Sequence, residues 1–315
     1  MLTSALRTTL LHAAKSHQLR EVVENAPVSR TVVARFVAGN RTEDAVRVAA
    51  SLAAEGLLVT IDHLGEDTTD RAQAEGVRDA YLELLGRLRE SGLTSGGAAE
   101  VSVKLSALGQ ALPADGAAVS TDAAHAICAK AAEVGSTVTL DMEDHTTTDA
   151  TLGTLRTLRA DYPWVGAVLQ SYLRRTEDDC RELAHEGSRV RLCKGAYAEP
   201  ESVAFPSSAE VDLSYVRCLK VLMAGAGYPM LATHDPRLID IAGALAVQHE
   251  REQGSYEYQM LHGVRPAEQQ RLAGLGEKVR VYLPYGLQWY GYLMRRMAER
   301  PANTAFLLRS LVQKG

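Results

Sequence analysis

Eight short apolar runs recur along the chain, and a stretch with helical periodicity follows each of them. The runs fall at 57–62, 100–105, 137–142, 166–171, 189–193, 229–233, 256–261 and 279–283. The helical stretches after them fall at about 69–88, 121–134, a third ending at about 160, then 177–186, 210–226, 237–250, 266–275 and 287–298. Strands that alternate with helices in this way build a parallel sheet covered by helices. Eight repeats is the arithmetic of a (βα)8 barrel, an α/β fold of about 250 residues. A doubly wound sheet is the alternative, but it usually stops at five or six strands and carries a G-x-G-x-x-G turn. No such turn is present. The sequence therefore predicts a TIM-like barrel domain over 41–315 with an N-terminal helical annex over 1–40. In the annex Leu6, Leu10, Ala13 and Ala14 share a helical face over 1–25, which Pro27 ends, and a second apolar stretch at 32–37 closes on Ala38-Gly39. Thr42 is the expected N-cap of a helix over 43–55 that stops at Gly56.

Net charge is -5 and there is no Lys/Arg tract, so nothing offers the basic footprint of a nucleic-acid binder. Cys128, Cys180, Cys193 and Cys218 have neither CxxC nor zinc-ribbon spacing, and they read as reduced thiols of a cytoplasmic protein. The first residues lack the charge pattern of a secretory leader, and no apolar run reaches the 18 or so residues of a membrane span. Peripheral contact with a membrane remains compatible with this pattern.

Functional groups of a barrel gather where its strands end. Here those ends carry Asp62 and His63, Lys104, Asp141 to His145, Gln170, Arg191 and Lys194, Thr233 and His234, Gln259 and Met260, and Tyr282. Inward barrel positions ordinarily hold Val, Ile or Leu, and an unpartnered buried polar group costs about 1–3 kcal/mol. So many polar residues on one rim point to a ligand. The stretch Arg191-Leu192-Cys193-Lys194-Gly195-Ala196-Tyr197 concentrates the signal: Gly195 lets backbone approach a flat or anionic ligand, with two cations beside it. A βα turn with solvated cations is the competing reading of that stretch alone.

Asp141, Glu143 and His145 resemble a metal cluster at first sight. Asp141 and Glu143 share a strand face, but His145 lies beyond the strand, and a carboxylate paired with a rim cation fits better than three convergent ligands. No metal is expected. On the last helix, Tyr292 precedes Arg295 by three residues and Arg296 by four, so the three share a face or its margin. Two adjacent guanidinium groups suit a planar carboxylate. An exposed helix with an Arg295–Glu299 pair is the alternative there.

These pieces together resemble the proline dehydrogenase family: VSVKLSALG at 101–109, LDMED at 140–144, LQSYLRRT at 169–176, RLCKGAY at 191–197, ATHD at 232–235, YEYQMLHG at 256–263, VYLPYG at 281–286 and YLMRRMAERPAN at 292–303. They run in family order from about residue 57 onward. The sequence departs from many members at Ala198-Glu199-Pro200, where they carry a bulky aromatic after the Tyr. The resemblance implies a (βα)8 barrel with FAD that oxidises L-proline to Δ1-pyrroline-5-carboxylate and hands electrons to a membrane quinone. It further implies that Lys104, Arg295 and Arg296 hold the substrate carboxylate, while Tyr282, Tyr285, Tyr292 and Leu261 wall its ring. Asp141 would be the active-site carboxylate, orienting Lys104 or Tyr282, and Arg191 would lie at the flavin edge where charge develops. Met142, Gln170, Lys194, Gly195, Ala196, Thr233 and His234 would contact FAD, and Glu66 would pair with one of the tandem arginines.

Two other functions compete with this one. A Schiff-base aldolase or lyase would use Lys194 or Lys104 with a lowered pKa. A flavin- or pyrroline-binding module would keep the site without turnover.

Overall fold

The computed structural model describes residues 33–299, so the helix expected over 1–25 lies outside the described residues. A helical turn at 33–36 leads into α1, Thr42–Ala54. The repeats follow in order: β1 Leu58–His63, α2 Arg71–Glu90, β2 Ala99–Val103, α3 Gly116–Val134, β3 Val138–Leu140, α4 Thr148–Asp161, β4 Gly166–Gln170 and α5 Thr176–Leu183. Then come β5 Arg189–Cys193, α6 Ser208–Ala224, β6 Tyr228–Ala232, α7 Pro236–Gln248, β7 Glu257–Leu261, α8 Pro266–Gly274, β8 Val279–Tyr285 and α9 Trp289–Glu299. The strands are parallel and pair in chain order. β8 returns to β1 in the register Leu58↔Arg280 through His63↔Tyr285, which closes the barrel.

Strand periodicity sorts the side chains into two environments. Val59, Ile61, Val101, Val103, Leu192, Val281 and Leu283 point outward and merge with Tyr81, Leu84, Leu85 and Leu88 of α2 and Ile127 of α3 in the main core. Burial of each large apolar side chain contributes about 1.5–3 kcal/mol. This sleeve between sheet and helices holds the fold.

The barrel interior differs from the apolar packing that the sequence analysis expected. Inward positions of β2, β5, β7 and β8 carry Glu100, Arg189, Glu257 and Arg280, well below the rim. Arg189 Nη2 donates to Glu100 at 2.5 Å, and Arg280 Nε donates to Glu257 at 2.7 Å. Glu100 also faces Arg191 at 3.7 Å and Arg280 at 3.8 Å. Burial pushes the Glu100 carboxyl up, but the three guanidinium groups outweigh it and hold the group well below the usual carboxylate range. A buried interior tolerates these charges because they are paired.

The ring place that the repeat pattern gives to the last helix is taken by the first. α1 packs on β1, β8 and α2, so it fills the ring position beside the closing seam. α9 instead lies across the mouth. Its Tyr292 and Leu293 cluster with Phe36, Val37 and Leu64, while Arg295 reaches Glu66 after β1 and stacks 5.6 Å from the Tyr197 ring after β5. Backbone bonds from Ala38 N–H to the Pro284 carbonyl and from Gly286 N–H to the Gly39 carbonyl, both 2.9 Å, fix the chain before α1 to the end of β8. The helix cap also differs from expectation. Arg41 is the N-cap residue and Thr42 the first helical one, because the Asp44 carboxylate reaches back to the Arg41 N–H at 3.3 Å. Gly56 follows the helix with φ +79, as expected.

Candidate active site

The mouth is organised by Asp141, which follows β3. Its Oδ1 accepts from Arg191 Nη1 at 2.7 Å and Ser102 Oγ at 2.8 Å, and its Oδ2 accepts from the Tyr282 hydroxyl at 2.7 Å. Arg191 is almost fully buried. Its Nε donates to Gln259 at 2.5 Å, and its guanidinium carbon sits 5.4 Å from the Tyr282 ring centre. Gln259 donates in turn to Glu257 at 2.6 Å, so the mouth is wired to the charged interior below it. Burial and the Asp141 carboxylate together raise the Tyr282 hydroxyl well above its usual range, so it stays a donor.

Lys104 follows β2 and pairs with Asp62 at 2.6 Å, both buried. Burial alone would lower the ammonium, but Asp62, Glu66 and Asp141 outweigh it and raise the group. Of the two groups that Asp141 was expected to orient, Lys104 and Tyr282, it meets one. Asp141 holds Tyr282, and Asp62 holds Lys104.

Across the mouth Arg295 makes a bidentate pair with Glu66, Nη1 donating to Oε2 at 2.8 Å and Nη2 to Oε1. Burial would lower this guanidinium, and Glu66 more than offsets that. Arg296 lies one residue on, 5.3 Å from the Tyr292 ring. Leu261 is half-buried at the end of β7, in register with Tyr282.

On the β4–β6 side, Gln170 Nε2 donates to the Glu143 carbonyl at 2.6 Å, and Thr233 Oγ1 accepts from the Asp235 N–H at 3.1 Å. His234 Nε2 accepts from the Leu261 N–H at 2.9 Å, which puts the proton of a neutral ring on Nδ1. Gly195 has φ +105, and a Cβ there would lie 2.3 Å from the Tyr172 ring, so only glycine fits this turn. The loop is anchored by buried Glu199, which accepts from the Tyr172 hydroxyl and the His145 N–H at 3.0 Å each and pairs with the His145 ring. The departure at Ala198-Glu199-Pro200 thus supplies a polar anchor where an aromatic was expected.

The family model described as proline dehydrogenase matches residues 45–309. The proline dehydrogenase of Deinococcus radiodurans is 36% identical over 315 residues, covering 99% of this chain and 100% of that protein. The chain belongs to the proline dehydrogenase family. Proline dehydrogenase 1 of Bacillus subtilis is also 36% identical, over 89% of this chain and 90% of its own. Among solved structures, proline utilization A from Bdellovibrio bacteriovorus, inactivated by N-propargylglycine, has the same fold with a TM-score of 0.79. It is 24% identical, and the match covers 90% of this chain but 34% of that one.

Several residues singled out by resemblance to this family stand elsewhere than at the mouth. Tyr285 lies on the opposite strand face from Tyr282, buried in the outer core with its ring edge-on to His63 at 5.0 Å. The Met142 side chain is in the same core. Lys194 turns away from the barrel axis to Asp212 at 2.6 Å and Asp235 at 3.3 Å. Asp141 and Glu143, weighed as metal ligands, are committed to Arg191, Ser102, Tyr282 and Ser106. Among the described residues no group of three or more His, Cys, Asp or Glu could hold a metal ion. Sequence reasoning missed Ser102, Ser106, Glu100, Glu257 and Arg280. Their signal was polar parity along the strands, Glu100 and Ser102 on β2 and then Lys104, Glu257 and Gln259 on β7, and Arg280 and Tyr282 on β8, each spaced by two.

Proposed function

We propose that this family member oxidises L-proline to Δ1-pyrroline-5-carboxylate at the barrel mouth, with FAD as its cofactor and a quinone as the final acceptor. The observation that carries the reading is the charge layout. Arg295 and Lys104 stand at the mouth as cations for a carboxylate, and Arg191 is buried beside Tyr282, bonded to Asp141.

The residues present suit a flavin on the β4–β6 side. Gln170 and Thr233 offer polar groups, Arg191 a fixed positive charge, His234 an imidazole, and the Gly195 turn brings backbone close. Lys194 and Ala196 would contribute backbone, since the Lys194 side chain is already paired. The Met142 contact would likewise be through backbone. Bound FAD supplies the two-electron oxidation of the ring carbon next to nitrogen.

The protein supplies grip, orientation and charge. Arg295, Arg296 and Lys104 hold the carboxylate, and two planar guanidinium groups fix the ring far better than a point charge would. Tyr282, Tyr292 and Leu261 wall the ring, and Tyr285 is left to the core. Asp141 aligns Arg191 and Tyr282 without moving a proton. The Arg191 guanidinium, locked before substrate arrives, stabilises negative charge as it develops. We further propose one catalytic domain over 41–315 with an annex over 1–40, cytoplasmic, touching a membrane transiently to reach its quinone. Among the described residues no helix is long and apolar enough to cross a membrane.

A lysine Schiff base is disfavoured by the pairing of both candidates. Lys104 is raised rather than lowered, and Lys194 is flanked by two carboxylates. The test is the visible spectrum of the purified protein before and after anaerobic L-proline. Flavin bands that bleach with L-proline and persist with D-proline are the expected result. A colourless protein that cannot be loaded with FAD would sink the reading.

A further inference from the structure

The loop that carries Glu66 is fastened at the two residues after it. Asp67, in the left-handed region at φ +52, donates its N–H to Ser106 Oγ at 3.2 Å. The Thr68 N–H donates to the Ser106 carbonyl at 3.1 Å. Ser106 is fastened in turn by Glu143, its N–H donating to Oε1 at 3.1 Å and its hydroxyl to Oε2 at 2.5 Å. Ser106 and Glu143 are both almost fully buried. Segments after β1, β2 and β3 therefore meet at one serine, and the Gln170 bond to the Glu143 carbonyl adds the end of β4.

We propose that Glu143, acting through Ser106, is a positioning residue for the Glu66–Arg295 pair and so sets how Arg295 meets the substrate carboxylate. This rests on the reading that Arg295 grips that carboxylate. Glu66 can hold the Arg295 fork bidentately only while its own backbone stays in register with α9. That backbone hangs from Ser106.

An ionised carboxylate accepts both Ser106 donors as charge-assisted bonds; protonation turns one oxygen into a weaker acceptor, so the grip on Ser106 loosens. The groups facing Glu143 are Ser106 and Lys104 from the segment after β2, Glu66 after β1 and Tyr197 after β5. Burial lifts the carboxyl to about 7, against the opposing pull of the Ser106 hydroxyl and Lys104. The anchor is complete above that range and weakens below it.

The experiment uses FAD-loaded full-length protein carrying Glu143→Gln, Ser106→Ala or both, with Glu66→Gln and Arg295→Ala as references. Steady-state oxidation of L-proline with a soluble quinone analogue gives KM and kcat. Binding of tetrahydrofuran-2-carboxylate, a ring carboxylate without the amine, is read from the flavin spectrum and needs no turnover. The expected result is a rise of about tenfold in KM and in that dissociation constant for each single variant, equivalent to about 1.4 kcal/mol. Values of kcat stay within about twofold, and the double variant is no worse than the worse single one, because both cut the same linkage. Binding by the parent protein weakens from about pH 8 to about pH 6, and Glu143→Gln flattens that profile. Melting temperature and FAD content verify that Ser106→Ala, the smaller change, is folded and loaded. If Glu66→Gln and Arg295→Ala raise KM while Ser106→Ala and Glu143→Gln do not, the positioning role is refuted. If Arg295→Ala itself leaves KM unchanged, the carboxylate grip fails first and the inference falls with it.

Discussion

Replacing Glu100 with Gln tests whether the charged barrel interior holds the fold together or merely survives in it. The side chain is 1% exposed and faces Arg189 at 2.5 Å, Arg191 at 3.7 Å and Arg280 at 3.8 Å. At an effective dielectric constant of about 20, each of the two longer contacts is worth about 4 kcal/mol. Desolvation of the carboxylate takes back several kcal/mol, and removing one partner of a buried ionic group typically costs about 3–5 kcal/mol net. Gln keeps the shape and one acceptor oxygen, so about 3 kcal/mol is expected here, a fall in Tm of about 4–5 °C. The measurement is thermal and urea unfolding of both proteins near neutral pH and at stepwise lower pH. Glu100 is depressed in the folded state, so its contribution is present above its ordinary value of 4.5 and is lost as pH falls toward the folded value. The gap between the two proteins should therefore close on acidification below about pH 4.5. A Gln variant as stable as the parent at neutral pH would refute the reasoning. Burial would then outweigh the attraction of three guanidinium groups.

Arg295→Ala and Arg296→Ala should each lower kcat/KM for L-proline by about 30-fold or more, the cost of removing one member of a buried charge pair, measured by steady-state kinetics. Tyr282→Phe strips one of three donors from Asp141 and should lower kcat/KM by about tenfold with little change in Tm, since Arg191 and Ser102 still satisfy the carboxylate. Gly195→Ala drives a Cβ into the Tyr172 ring at φ +105 and should yield protein with markedly reduced FAD content, read from the ratio of visible to ultraviolet absorbance. Because burial raises Glu143 in the folded protein, its contribution to stability declines as pH rises from about 4.5 to about 7. Glu143→Gln should remove that slope, seen as a flatter curve of Tm against pH.

The strands were legible because the sleeve core demands apolar residues on their outer faces, and this leaves a run in the sequence whatever lies inside. All eight emerged, with boundaries shifted by a few residues at most. The interior was less legible only because the runs were read as uniformly apolar. Taken with period two, β2 alternates Glu100, Ser102 and Lys104 with Val101 and Val103, which already separates a polar inside from an apolar outside. The same parity divides Tyr282 from Tyr285, three residues apart and therefore on opposite faces. Two features had no local signal. The pairing of Lys104 with Asp62 depends on which strands become neighbours. The path of α9 across the mouth depends on Phe36 and Val37, about 250 residues earlier, since helical periodicity names a face but not what it covers.

That path has a consequence for how the protein is made. The ladder closes when β8 pairs with β1, and at that moment Asp62, Lys104, Asp141, Arg191 and Tyr282 are all available from strands or strand ends. Tyr292, Arg295 and Arg296 belong to the next helix to leave the ribosome, and that helix must find residues 33–37, which emerged long before. The strand ladder and the buried charges need nothing from α9, whereas the arginine-bearing part of the mouth needs both ends of the described segment together. The arginines proposed to grip the substrate carboxylate thus sit where the start and the end of the described segment meet, apart from the strand ladder that holds Asp141 and Arg191.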